Sequence, residues 1–134
     1  MTAATQDINT PYKDGEIVAM PVEANVVIFA GSLVCANANG NAVDGSTAEG
    51  LTYIGRAEAY VSNTGGAAGA QTIQVRRGVM FQWANSPEDP VNQSSMGKPC
   101  YVEDNQTVAA TNGTNTRSAA GIVMGVDANG VWVL

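Results

Sequence analysis

Apolar residues along this chain fall into short runs and alternating stretches, separated by clusters of Gly, Asn, Asp, Ser and Pro. That pattern is the signature of strands and tight turns rather than of long amphipathic helices. Residues 1–14 are polar and aperiodic and read as an extended arm, leaving residues 15–134 as a single β domain. The first strand is expected over 16–20, stopped by Pro21, and the second over the apolar run 25–30, bounded by Gly31. Residues 33–36 and 42–43 are expected to pair across the Asn39-Gly40 turn, because that dipeptide tolerates the positive φ of a tight hairpin. A long strand is expected over 51–61, with a bulge or bend at Gly55.

The Gly/Ala tract 62–70 carries no large side chain to anchor it and reads as an exposed, mobile connection. In 71–77, Ile73 and Val75 share one face and Thr72, Gln74 and Arg76 the other, which places Arg77 on the apolar face. Val79, Phe81 and Trp83 then alternate with Met80, Gln82 and Ala84, a pattern expected of a strand covered on both sides. Residues 91–97 are the one helical candidate, a single turn. Strands at 99–103 and 107–110 flank the turn 104–106, and the chain closes with a hairpin, 119–126 and 131–134 around Asp127-Ala128-Asn129-Gly130. In its last strand either Trp132 or the pair Val131 and Val133 must find a buried face. Roughly eight to ten short strands at this spacing predict an all-β fold, a small β-barrel or jelly-roll-like sandwich with an extended N-terminal arm.

The charge balance removes several functions. With six basic and twelve acidic side chains the net charge is −6, and no basic stripe exists to neutralise phosphates, so no nucleic acid partner is expected. The chain has no histidine, which rules out Ser-His-Asp and Cys-His catalysis and His-ligated zinc. Glu88-Asp89 and Glu103-Asp104 read as solvated turn residues rather than catalytic pairs. Asp7, Asp14, Asp44 and Asp127 lack the spacing of a calcium loop. No catalytic residue, cofactor or metal is expected, and the chain is read as a non-enzyme. No apolar run approaches a membrane span, and residues 1–7 lack the basic and apolar regions of a secretory signal. Cys35 and Cys100 each sit in a strand-like run and read as buried free thiols, a single disulfide being the alternative.

Two groups of residues remain as candidate contacts. Arg76-Arg77 is read either as an internal pair with an acid such as Glu58 or as a contact with another protein. Ile8, Pro11 and Tyr12 are the arm's candidates for the same role. The aromatic residues Trp83, Trp132, Tyr53, Tyr60 and Tyr101 are read chiefly as core, with a carbohydrate platform as the alternative.

Residues 50–78, 96–108 and 117–133 together resemble the capsid cement, or decoration, proteins of tailed bacteriophages. The order of features carries the resemblance: a β segment, a Gly/Ala loop, a basic strand end at Arg76-Arg77, the strand Gly97-Lys98-Pro99-Cys100-Tyr101, then the closing Asp127-Ala128-Asn129-Gly130-Val131-Trp132 hairpin. The resemblance implies a small β body that binds the outside of a phage capsid and clamps neighbouring major capsid protein subunits, as a homo-oligomer, trimer or dimer. It also implies synthesis in a bacterial host cytoplasm and residence on the capsid exterior. The alternative function is a carbohydrate- or receptor-binding β module of a fibre or secreted enzyme.

Overall fold

A computed structural model describes residues 3–11 and 13–134. Among the described residues the strands are β1 (Ile17–Pro21), β2 (Val27–Ile28), β3 (Leu33–Ala36), β4 (Ala42–Asp44), β5 (Thr52–Ala57), β6 (Val61–Ser62), β7 (Thr72–Arg76), β8 (Phe81–Asn85), β9 (Pro99–Val102), β10 (Thr107–Ala109), β11 (Ala119–Asp127) and β12 (Gly130–Val133). One 3-10 turn, Gln93–Ser95, takes the place of the expected helical turn, with the Asn92 side chain accepting from the Ser94 amide. The fold is all-β, as the alternation predicts.

Two lobes pack together, with β3 buried between their cores. In the first, an antiparallel sheet of order β1-β7-β5-β3-β4 curls until Val22, just past β1, bridges to Ala42 of β4. In the second, the strands close into a small barrel of order β10-β8-β12-β11-β9, antiparallel throughout except for the β8–β10 pair. β2 and β6 form a separate two-stranded ribbon. The core of the first lobe is built on Met20, Val22, Ile28, Val34, Ala42, Ala57, Ile73 and Val75. The barrel core contains Phe81, Trp83, Val91, Cys100, Val102, Val108, Val123, Val131 and Val133, joined by Leu33 and Cys35. Successive side chains of a strand point to opposite faces, so β3 sends Val34 into one core and Leu33 and Cys35 into the other. A strand buried on both faces needs an unbroken apolar run, and 33–36 supplies it.

The hairpins form where turn chemistry places them. Val34, Cys35 and Ala36 pair with Asp44, Val43 and Ala42 around Gly40, whose φ is 79°. Gly55 lies where the register of β3 against β5 shifts, and a Cβ there would collide with the carbonyl oxygen of Arg76. Both observations agree with the expected bulge. Other elements differ from expectation. The run 25–30 yields only the two residues of β2, because Asn25 takes a positive φ of 61° and Gly31 one of 82°, turning the chain at both ends. The stretch 51–61 divides into β5 and β6. The Gly/Ala tract is anchored after all: Asn63 is 3% exposed, and its side-chain amide donates to the carbonyls of Val22, Glu23 and Ala67 at 3.2, 3.0 and 2.9 Å. A small polar side chain anchors the tract without a large apolar one, by tying together three carbonyls that also have backbone donors.

Candidate interaction surfaces

Residues 3–11 and 13–15 lie outside every strand and are exposed, with Ile8 at 71%. Pro11 is likewise exposed, whereas Tyr12 falls outside the described residues. The two arginines at the end of β7 have different fates. Arg76 follows the alternation onto the polar face and pairs with Glu58, Nε to Oε1 at 3.2 Å, and with Glu16 at 3.9 Å. Arg56 reaches the same Glu58 oxygen at 2.8 Å while its guanidinium sits 5.0 Å above the Phe81 ring. The Arg56 hydrogen bond, with help from Arg76, holds the Glu58 carboxyl below its ordinary pKa. The internal pairing anticipated for the arginine dipeptide thus falls to Arg76.

Arg77 is not on the apolar face. β7 ends one residue earlier, the Arg77 amide donates to the Glu16 carbonyl at 2.8 Å, and its side chain is exposed, with no ion pair among the described residues. It lines a groove of about 580 Å³ between the two lobes, whose walls include Leu51, Ile54, Val79, Phe81 and Leu134. Val79 was expected to share the buried face of Phe81 and Trp83, but it precedes β8 and stands 41% exposed at this groove.

The outer face of the barrel is apolar as well. Along β12, Val131 and Val133 are fully buried and Trp132 points outward, 38% exposed. Neighbouring positions continue the patch: Ile122 and Met124 on β11, Leu134 joined to Ile122 by two backbone bonds of 2.9 Å, and Met80 just before β8. The Trp132 indole is fixed rather than loose, since its Nε1 donates to Asp127 at 3.3 Å and Gln82 donates to the other oxygen of that carboxylate at 2.9 Å. The Asn129 amide, then the Trp132 and Gln82 donors, hold the Asp127 carboxyl below its ordinary range. Trp132 is therefore not core, and neither are Met80 and Ala84, so β8 is covered on one side only.

A third surface joins Tyr60, one of the aromatic candidates and here not core, to Phe29, which the sequence pattern does not single out. Phe29 and Tyr60, 59% and 57% exposed, stand with ring centroids 5.7 Å apart and tilted by 44°. Phe29 also borders a hollow of about 240 Å³ lined by Ser32, Asn105 and Gln106. The remaining candidates are structural. Asp89 and Glu103, one acid from each acidic pair, converge on Arg117 at 2.9 and 3.5 Å, and Ser86 donates to Glu103 at 2.7 Å. Cys35 and Cys100 are free and buried, and burial pushes both thiols up to about 12. The phenol of Tyr53, which accepts from the Trp83 indole at 3.1 Å, is pushed up to about 12 in the same way. Such thiols are packing groups rather than nucleophiles. No protein-family model matches the chain, and neither a curated protein nor a solved structure matches it.

Proposed function

We propose that this protein is a virion structural protein, made in a bacterial host cytoplasm, that binds the outer surface of a phage capsid and clamps neighbouring major capsid protein subunits. The observation that carries the reading is the apolar outer face of the barrel, where Met80, Ile122, Met124, Trp132 and Leu134 lie open to solvent. Contiguous exposed apolar surface of this kind marks an interaction site on a soluble domain. A held Trp at its centre is the residue type that dominates interface energetics. The sequence resemblance to cement proteins names the partner. A capsid repeats one site many times, so modest contacts by a homo-oligomer add up through effective concentration.

The test is to mix the purified protein with capsids that lack it, pellet the particles and image them by cryo-electron microscopy. The expected result is ordered density at capsid symmetry positions, the outer barrel face turned to the shell, with increased resistance of the particles to heat. Bare capsids under conditions where the protein is folded overturn the reading. A second reading, a carbohydrate- or receptor-binding module, is favoured by the exposed Phe29–Tyr60 pair beside a hollow lined with amides. Retention on a glycan array, lost in Phe29→Ala and Tyr60→Ala, would establish it instead.

A further inference from the structure

We propose that the groove between the two lobes receives the N-terminal arm of a second copy of this chain, so that arm exchange holds the oligomer together. The inference deepens the homo-oligomer part of the proposed function and does not require a capsid.

The groove contains a bare strand edge. On one side of β5, Thr52 and Tyr53 pair with Ala36 and Cys35 of β3. On the other side β7 meets only Arg56 and Ala57, because the chain leaves β7 after Arg76 and turns away at Gly78, with φ 80°. On that second side Thr52, Tyr53 and Ile54, which line the groove, have no strand paired to them among the described residues. Such an edge is a template for an added extended segment, with backbone hydrogen bonds for affinity and side-chain pockets for specificity. The walls are apolar, with Val79 and Leu134 41% and 53% exposed, and Arg77 is their one charged residue.

The arm matches this chemistry. Among its described residues the one large aliphatic side chain, Ile8, stands next to the carboxylate of Asp7. An apolar residue beside an acid complements an apolar wall beside an unpaired arginine. The arm also starts at the right place, since Glu16, its root, accepts from the Arg77 amide at the groove's own margin. Donor and acceptor thus share one face of the molecule, the arrangement that lets copies exchange arms in a closed assembly. Ile8 lies eight positions before Glu16, a reach of roughly 26–29 Å when extended. Within the single chain Ile8 stays exposed, so the arm leaves its own groove open.

The test needs no capsid. Sedimentation of the full chain across a concentration range is expected to show a concentration-dependent oligomer, and Ile8→Asp or Arg77→Asp each to weaken it by about tenfold or more. Both side chains are exposed, so circular dichroism is expected to show unchanged folding. The paired exchange Asp7→Arg with Arg77→Asp is expected to recover much of the association. A cysteine pair, Ile8→Cys with Ile54→Cys, is expected to crosslink between differently tagged copies. A monomer at every concentration, an oligomer indifferent to both substitutions, or a crosslink formed only within one chain each overturns the proposal. A monomer that still decorates capsids overturns arm exchange and leaves the capsid reading standing. An arm-linked oligomer that leaves capsids bare does the reverse.

Discussion

The two lobes are built from the same short strands, yet they treat their outer faces differently. In the curled sheet, β7 turns Ile73 and Val75 inward and Thr72 and Gln74 outward, the ordinary division for a sheet with one wet face. In the barrel, β11 and β12 turn valines inward and still present Ile122, Met124 and Trp132 outward. Closure of a barrel satisfies the strands' backbone edges and fills the interior, and neither requirement calls for apolar residues outside. Folding therefore does not account for the apolar outer face of the barrel. The sheet lobe adds a different kind of opening, the unpaired edge of β5 at the groove, where backbone rather than side chains is on offer.

Strand β3, between the two cores, is the place to break this comparison. Leu33→Ala empties a fully buried site on the barrel side of β3 and is expected to cost about 2–5 kcal/mol in chemical denaturation. Because the same strand lines the other core, both lobes are expected to unfold together; separate transitions would show that the lobes are independent. Alkaline conditions probe the barrel side alone. Cys35, Cys100 and Tyr53 all belong to it, and burial raises the two thiols from 9.0 to about 12. Raised acids stay neutral in the folded state while they ionise in the unfolded chain, so stability is full below pH 9 and falls as pH rises toward 12. The loss is about 1.4 kcal/mol per thiol per pH unit in that window. Melting curves of Cys35→Val with Cys100→Val are expected to flatten that slope.

Smaller effects sharpen the contrast. Asn63→Ala removes the side-chain donor that ties together the Val22, Glu23 and Ala67 carbonyls, which keep their backbone donors Gly69, Val26 and Ala70, and is expected to cost about 1–3 kcal/mol through the lost hydrogen bonds. Amide exchange is expected to quicken in the sheet lobe and not in the barrel. Met80→Gln with Met124→Gln on the outer barrel face is expected to change stability by less than about 0.5 kcal/mol per site. Capsid retention in a pelleting assay is nevertheless expected to fall. A large stability loss with binding intact would make that face structural.

Only part of the candidate site was legible before the fold, and the rest was not for identifiable reasons. Arg76-Arg77 stood out as a charged end to an apolar alternation, but alternation alone extends a strand indefinitely, and β7 stops at Arg76. That one-residue difference exchanges the roles, so that Arg76 is pinned by Glu58 and Arg77 is left at the groove. The apolar run 25–30 reads as one strand because Asn25 at positive φ carries no signal that separates it from the other Asn residues, whereas β2 ends at Ile28 and leaves Phe29 exposed. Asn63 carries no local signal because two of the three carbonyls its amide reaches, those of Val22 and Glu23, come from about forty residues earlier in the chain.

Whereas the structure decided that Cys35 and Cys100 are free rather than bonded, the sequence by itself determined the all-β class, the hairpins at Gly40 and Gly130 and the bulge at Gly55. These follow from local rules, namely a two-residue side-chain period, turn residues that accept positive φ, and the absence of a helical spacing. Tertiary structure decided which face of β12 is inside, that β3 serves two cores, and that an arm root, an unpaired arginine and an open strand edge meet at one groove. The reason is that alternation leaves two equivalent faces. Only long-range pairing, which closes the barrel and curls the sheet against it, chooses between them.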